Sequence, residues 1–160
     1  MILDERLEFA DDATAFGAAG HALIGDVIDL QEVTGRDPGN GEPLYFVITV
    51  GTEIITAGAA GTLRFKLVSD SVAAIATDGT ATEHYVSHDF ITDDAGANAA
   101  ELNAGGVPVA IVLPTEGVPY ERFLGVLVET LTTTTTAGAI NAFLTKDVSR
   151  WKSYANAIGA

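Results

Sequence analysis

The stretch Thr62-Leu-Arg-Phe-Lys-Leu-Val68 sets Leu63, Phe65 and Leu67 against Arg64 and Lys66 in strict alternation. Successive side chains leave a pleated strand on opposite sides, so a period of two predicts one face in a core and the other in water or at an interface. Related runs recur along the chain. Leu44-Tyr-Phe-Val-Ile-Thr-Val50 is apolar on both alternating faces and predicts a strand covered on two sides, with 53–56 continuing it. Val107 to Leu113, with Pro108 near its start and Pro114 after it, predicts a strand entered at its edge. Leu23 to Leu30, Tyr120 to Leu131 and Gly138 to Lys146 are strand candidates, and Val72 to Ile75 and His84 to Ile91 are weaker ones. A helix competes over 120–131, but Gly125 and the following threonines favour sheet.

Turn chemistry separates these runs. Arg36 to Pro43 concentrates Gly, Pro and Asn, Ala57 to Gly61 is a second break, and Asp78-Gly79 is a good turn pair. Residues 93–106 read as a loop with one helical turn near Ala97 to Leu102, and Thr132 to Thr136 as a strand end or hairpin loop. Seven to nine short strands at this spacing predict an all-β fold, a jelly-roll-like antiparallel β-sandwich. The expected organisation is an N-terminal arm over 1–22 with one helical turn, a sandwich domain over 23–147, and a C-terminal arm over 148–160 that is either extended or a short helix.

A chain of 160 residues supplies one domain. It has no cysteine, so no disulfide or thiolate metal site holds the fold together. Eight Lys and Arg against 22 Asp and Glu give a formal charge of −14, the wrong sign for a nucleic-acid partner, whose phosphates demand cations. Charged residues are 19% of the chain against about 25% in a typical domain, and mean hydropathy is positive, which points either to apolar surface covered by other chains or to a domain simply rich in Ala and Gly. No apolar run of membrane-spanning length occurs. The start, Met-Ile-Leu-Asp-Glu-Arg, puts acid where a signal peptide carries positive charge, so the product is expected to stay in the cytoplasm in which it is made.

No catalytic, cofactor or metal set emerges from the motifs. His84 and His88 would share one face of a helix, but on a strand four residues span about 13 Å, too far for one metal ion. The pairs Asp11-Asp12 and Asp93-Asp94 lack the spacing of a calcium loop. Neither a Gly-x-Ser-x-Gly elbow nor a Gly-x-x-x-x-Gly-Lys phosphate loop is present. Large apolar side chains outside the best strands carry more information: Leu3, Leu7 and Phe9 in the first arm, Trp151 and Tyr154 in the last. Each either lies back on its own domain or anchors on a neighbouring subunit.

Several blocks, in order, carry a resemblance. They are Met1-Ile-Leu-Asp4 with Phe9 and Asp11-Asp12-Ala13, Gly39-Asn-Gly-Glu-Pro-Leu-Tyr45 leading to Val47-Ile-Thr-Val50, and Thr56-Ala-Gly-Ala-Ala-Gly-Thr-Leu63. Tyr120-Glu-Arg-Phe-Leu124, Thr136-Ala-Gly-Ala139 and Trp151-Lys-Ser-Tyr-Ala155 complete the set, while 70–105 departs from it. With these blocks the chain resembles the cement, or decoration, proteins of tailed bacteriophages, particularly the small jelly-roll type of short-tailed phages. The resemblance implies a homotrimer on the outer surface of the virion, bridging major capsid proteins at local threefold positions, with no cofactor and no membrane. The rival expectation is a carbohydrate- or host-surface-binding β-sandwich of a tail or fibre. If the first arm anchors on the shell, deleting 1–9 weakens capsid binding far more than the fold.

Overall fold

In the computed structural model, which describes residues 5–14, 17–31, 41–57, 61–92 and 98–148, alternation resolves into nine strands. They are β1 (Glu8–Ala13), β2 (Gly20–Asp29), β3 (Tyr45–Thr56), β4 (Gly61–Asp70), β5 (Thr82–Val86), β6 (Phe90–Thr92), β7 (Val109–Val112), β8 (Phe123–Leu131) and β9 (Thr135–Thr145). Single 3-10 turns occupy Glu5–Leu7 and Ala100–Leu102, and Leu30 and Gln31 have helical backbone. All pairing is antiparallel: one sheet runs β1-β9-β3-β7, the other β2-β8-β4-β5, with β6 also on β4. Apart from β4, β5 and β6, which follow one another in one sheet, the chain switches sheets at each step, the jelly-roll order of two interleaved Greek keys.

Between the sheets Phe9, Phe46, Ile48, Val50, Ile140, Ala142 and Leu144 meet Ile24, Leu63, Phe65, Leu67, Phe90, Leu124, Val126 and Val128, all buried. Phe9 and Phe46 stand edge to face at 5.9 Å, and Phe65 and Phe90 at 5.8 Å, the geometry that aromatic quadrupoles favour. Buried hydroxyls join the sheets at one end of this core. Thr56 Oγ1 donates to Thr92 O at 3.0 Å, Thr92 Oγ1 donates to Ile54 O at 3.1 Å, and Thr130 and Thr135 share a hydroxyl contact at 3.2 Å.

The strands expected over 23–30, 44–56, 62–68, 107–113, 120–131 and 138–146 all form, and the helical alternative at 120–131 does not. Three readings are corrected. The N-terminal boundary at 22 fails, because Glu8–Ala13 pairs with β9 and β2 starts at Gly20, which makes both part of the sandwich. Val72 to Ile75 is not a strand: Asp70 accepts the amides of Val72 and Ala76, each at 3.2 Å, and these bonds curl the chain out of the sheet. His84 to Ile91 is two strands, not one. Ser87 bridges the break by exchanging bonds with the Phe65 backbone through its own N and Oγ. On β9, Ile140, Ala142 and Leu144 share the face turned to the core between the sheets, and Ala139 and Phe143 are buried as well. Residues 36–40 of the expected loop and 149–160 of the expected C-terminal arm lie outside the described residues.

Candidate functional site

Two regions concentrate polar chemistry. The first is the outward face of the β2-β8-β4-β5 sheet. Register puts Arg64 opposite Glu129, with Lys66 one pleat along and His21 opposite Glu129 on the other side. Lys66 Nζ lies 2.7 Å from Glu83 Oε1, 3.2 Å from Glu129 Oε2 and 3.1 Å from His21 Nε2. An ammonium can only donate, so Lys66 is the donor in this contact, and His21 Nε2 also stands 3.5 Å from Glu129 Oε1. Arg64 closes the cluster with Asp89 and stands 3.6 Å from Glu129 Oε2. That Glu129 oxygen is buried and aligned with no hydrogen-bond donor, so the two cations hold it by charge. Burial alone would pull Lys66 down, but its hydrogen bond to Glu83 and the charges of Glu129 and Glu83 outweigh it and raise its pKa.

Beside this network a small apolar cluster, Val68, Ile75, Ala81 and Leu127, is roofed by the loop after β4. Gly125 makes room for the roof, since a Cβ there would stand 2.4 Å from Ile75 Cδ1. The sheet face expected to be wet or at an interface is therefore largely filled by its own chain.

The second region is the rim where β1 crosses β2. At Gly25 (φ +63°) a Cβ would lie 2.0 Å from Phe9 O, so only glycine permits the approach. Glu5, Glu8, Asp11 and Asp26 line grooves beside the crossing, one of about 540 Å³. Burial first, then the charges of Asp11 and Glu5, raise the pKa of Glu8. Arg6 lines one of these grooves beside Glu5, Glu8 and Asp26, while four other described cations pair away from the rim grooves: Arg122 with Asp29 at 2.6 Å, Lys146 with Glu42 at 2.8 Å, and Arg64 and Lys66 within their network.

At the end of the sandwich, Leu30, Leu113, Tyr120 and Leu124 line a cavity of about 360 Å³. The Tyr120 hydroxyl donates to Pro114 O at 2.6 Å, and burial pushes its pKa up to about 12. Ser69 Oγ sits 2.7 Å from His84 Nε2, the spacing of a nucleophile and its base. Ser69 is fully buried, however, and its oxygen already accepts the Glu121 amide at 3.0 Å, so a substrate carbonyl has no approach.

Of the side chains singled out in sequence, Phe9 is 1% exposed in the core and offers no free face to a partner in this fold. Leu7 is half-buried against that core. Leu3, Trp151 and Tyr154 lie outside the described residues. His84 stacks on Tyr120 at 4.0 Å and His88 on Phe90 at 4.1 Å, in separate settings, and no group of three metal-ligating side chains occurs among the described residues. Sequence reading missed the Lys66 network. Its only signal was the pair of cations, Arg64 and Lys66, on the outward alternation of β4.

A family model described as Bbp16 matches residues 11–144. No curated protein matches the chain.

Proposed function

The chain belongs to the Bbp16 family, a phage-related family, and on that premise we propose that it is a capsid cement, or decoration, protein. In this reading a homotrimer binds the outer surface of a bacteriophage head and bridges neighbouring major capsid proteins at local threefold positions. The observation that supports it best is the disposition of charge: Arg64, Lys66, Arg122 and Lys146 are each held by carboxylates of their own chain. The acids Glu5, Glu8, Asp11 and Asp26 of the β1-β2 rim meanwhile outnumber Arg6 beside them in a molecule of net charge −14. Such a surface is steered toward basic patches on a shell and away from the packaged polyanion.

The mechanism needs no chemistry. A protein that binds assembled shell but not dispersed subunits shifts the equilibrium toward the intact particle by mass action. Three linked contacts per trimer make each later one effectively intramolecular. The test is rebinding of purified protein to shells stripped of it, with copy number counted. One trimer per local threefold is the expected result. Binding to glycans but not to shells would replace this reading with a carbohydrate-binding tail or fibre module.

A further inference from the structure

We propose that β7 is an acceptor edge, at which an extended segment of the shell partner adds a fifth strand to the β1-β9-β3-β7 sheet. The inference rests on the cement reading for the partner's identity, and on backbone geometry for the site. Leu113 N donates to Leu44 O at 2.7 Å, so Leu44 and Leu113 form a hydrogen-bonded pair. Such pairs alternate along an antiparallel ladder, and the register therefore gives Ile111 and Val109 the bonds to Phe46 and Ile48. The N–H and C=O groups of Ala110 and Val112 then point away from β3, to the side where the sheet has no further strand among the described residues. Val112 is 51% exposed and Ala110 is exposed beside it.

Every other edge of the sandwich is blunted. β1 carries Glu8, Asp11 and Asp12, has two register shifts and lies against β2. β2 bulges between Ile24 and Ile28 around Asp26. β5 carries Glu83 and a bulge, and the Ile91 carbonyl of β6 is taken by Ala99 N at 2.8 Å. Edge strands are commonly protected by charge, bulges or covering chain. Among the described residues β7 has none of these: no charged residue lies between Glu101 and Glu116, its pairing with β3 has no register shift, and no described strand pairs with its outer side. Pro108 and Pro114 only bracket its length.

The occupant follows from chemistry. It is an extended segment of about four residues, with a small or β-branched apolar side chain to lie beside Val112 and Ala110. Basic residues flank it, because the exposed acids Glu101 and Glu116 bound the strand in a strongly acidic molecule.

The test uses Ala110→Pro and Val112→Lys in the full chain, with stripped shells as the probe. Ala110→Pro removes an outward N–H without breaking a bond to β3, and Val112→Lys puts a repelling charge on the edge. Both should keep the wild-type melting temperature while binding to shells falls at least tenfold. Hydrogen exchange of wild-type protein should show the Ala110 and Val112 amides open when free and protected on the shell. If wild type binds shells and both variants bind equally well, the acceptor edge is refuted while the cement reading stands. If wild type does not bind shells, both fall. Protection of the two amides that grows with the concentration of free protein would overturn the assigned occupant in favour of a second copy of this chain.

Discussion

Replacing Phe9 by alanine separates an anchor from a core side chain. The ring is 1% exposed, meets Phe46 edge to face at 5.9 Å, and backs onto the β1-β2 crossing at Gly25. Truncating a buried phenylalanine costs about 3–5 kcal/mol through lost transfer energy and the cavity left behind. In a domain of this size each kcal/mol moves the melting temperature by about 2–4 °C, so a drop of roughly 6–20 °C is expected. Leu7→Ala, at a half-buried position, should cost about 1 kcal/mol. Calorimetry beside co-sedimentation with stripped shells reads both quantities. Deleting 1–9 should likewise lower the melting point first, the reverse of what an external anchor would do. A Phe9→Ala protein that melts within 2–3 °C of wild type yet loses shell binding would refute the reasoning, because Phe9 would then be acting outside the core.

Gly25→Ala should prevent folding or destabilise severely, since the new methyl meets the Phe9 carbonyl at 2.0 Å and the φ of +63° disfavours any side chain; soluble yield and a urea melt decide it. Lys66→Ala leaves the buried Glu129 without its nearest cation and should cost on the order of 2–3 kcal/mol, whereas Lys66→Met restores packing and should be milder, by chemical denaturation. Thr92→Val strips Ile54 O of a buried donor at constant shape and should cost about 1–3 kcal/mol by the same assay. Burial holds the His84 pKa below its ordinary value, so the stability tied to its neutral form is full above pH 6.5 and is lost as pH falls through the folded value. His84→Gln should flatten that part of a stability-against-pH curve, and an unchanged slope would refute the assignment.

The sheet was legible because its strands are long relative to their patterns. Leu63, Phe65 and Leu67 are each buried, as their alternation requires, and turn residues bound most of the runs. β1 was not legible. Its apolar signal is Phe9-Ala10 followed by two acids, and the strand that makes sense of it pairs Glu8 with Phe143 at the far end of the chain. The Lys66 network failed to show for the same reason: local alternation sends Lys66 outward, and its burial depends on Glu83, Glu129 and His21 from three other strands. Of the proposed contact surface, sequence reading marked β7 as entered at an edge through Pro108. Its open backbone groups become visible only once Leu113 is seen bonded to Leu44.

The adjacency of the first and last strands also governs how the molecule bears load. β1 begins opposite Phe143, two residues before β9 ends at Thr145, so tension applied through residues 8 and 145 enters and leaves at one end of a single antiparallel pair. Such a pull opens the pair one rung at a time, like a zipper, and does not shear all its rungs at once. Pulled by both ends the domain should yield at low force. Pulled between Glu8 and an attachment on β7, across β9 and β3, it should resist far more.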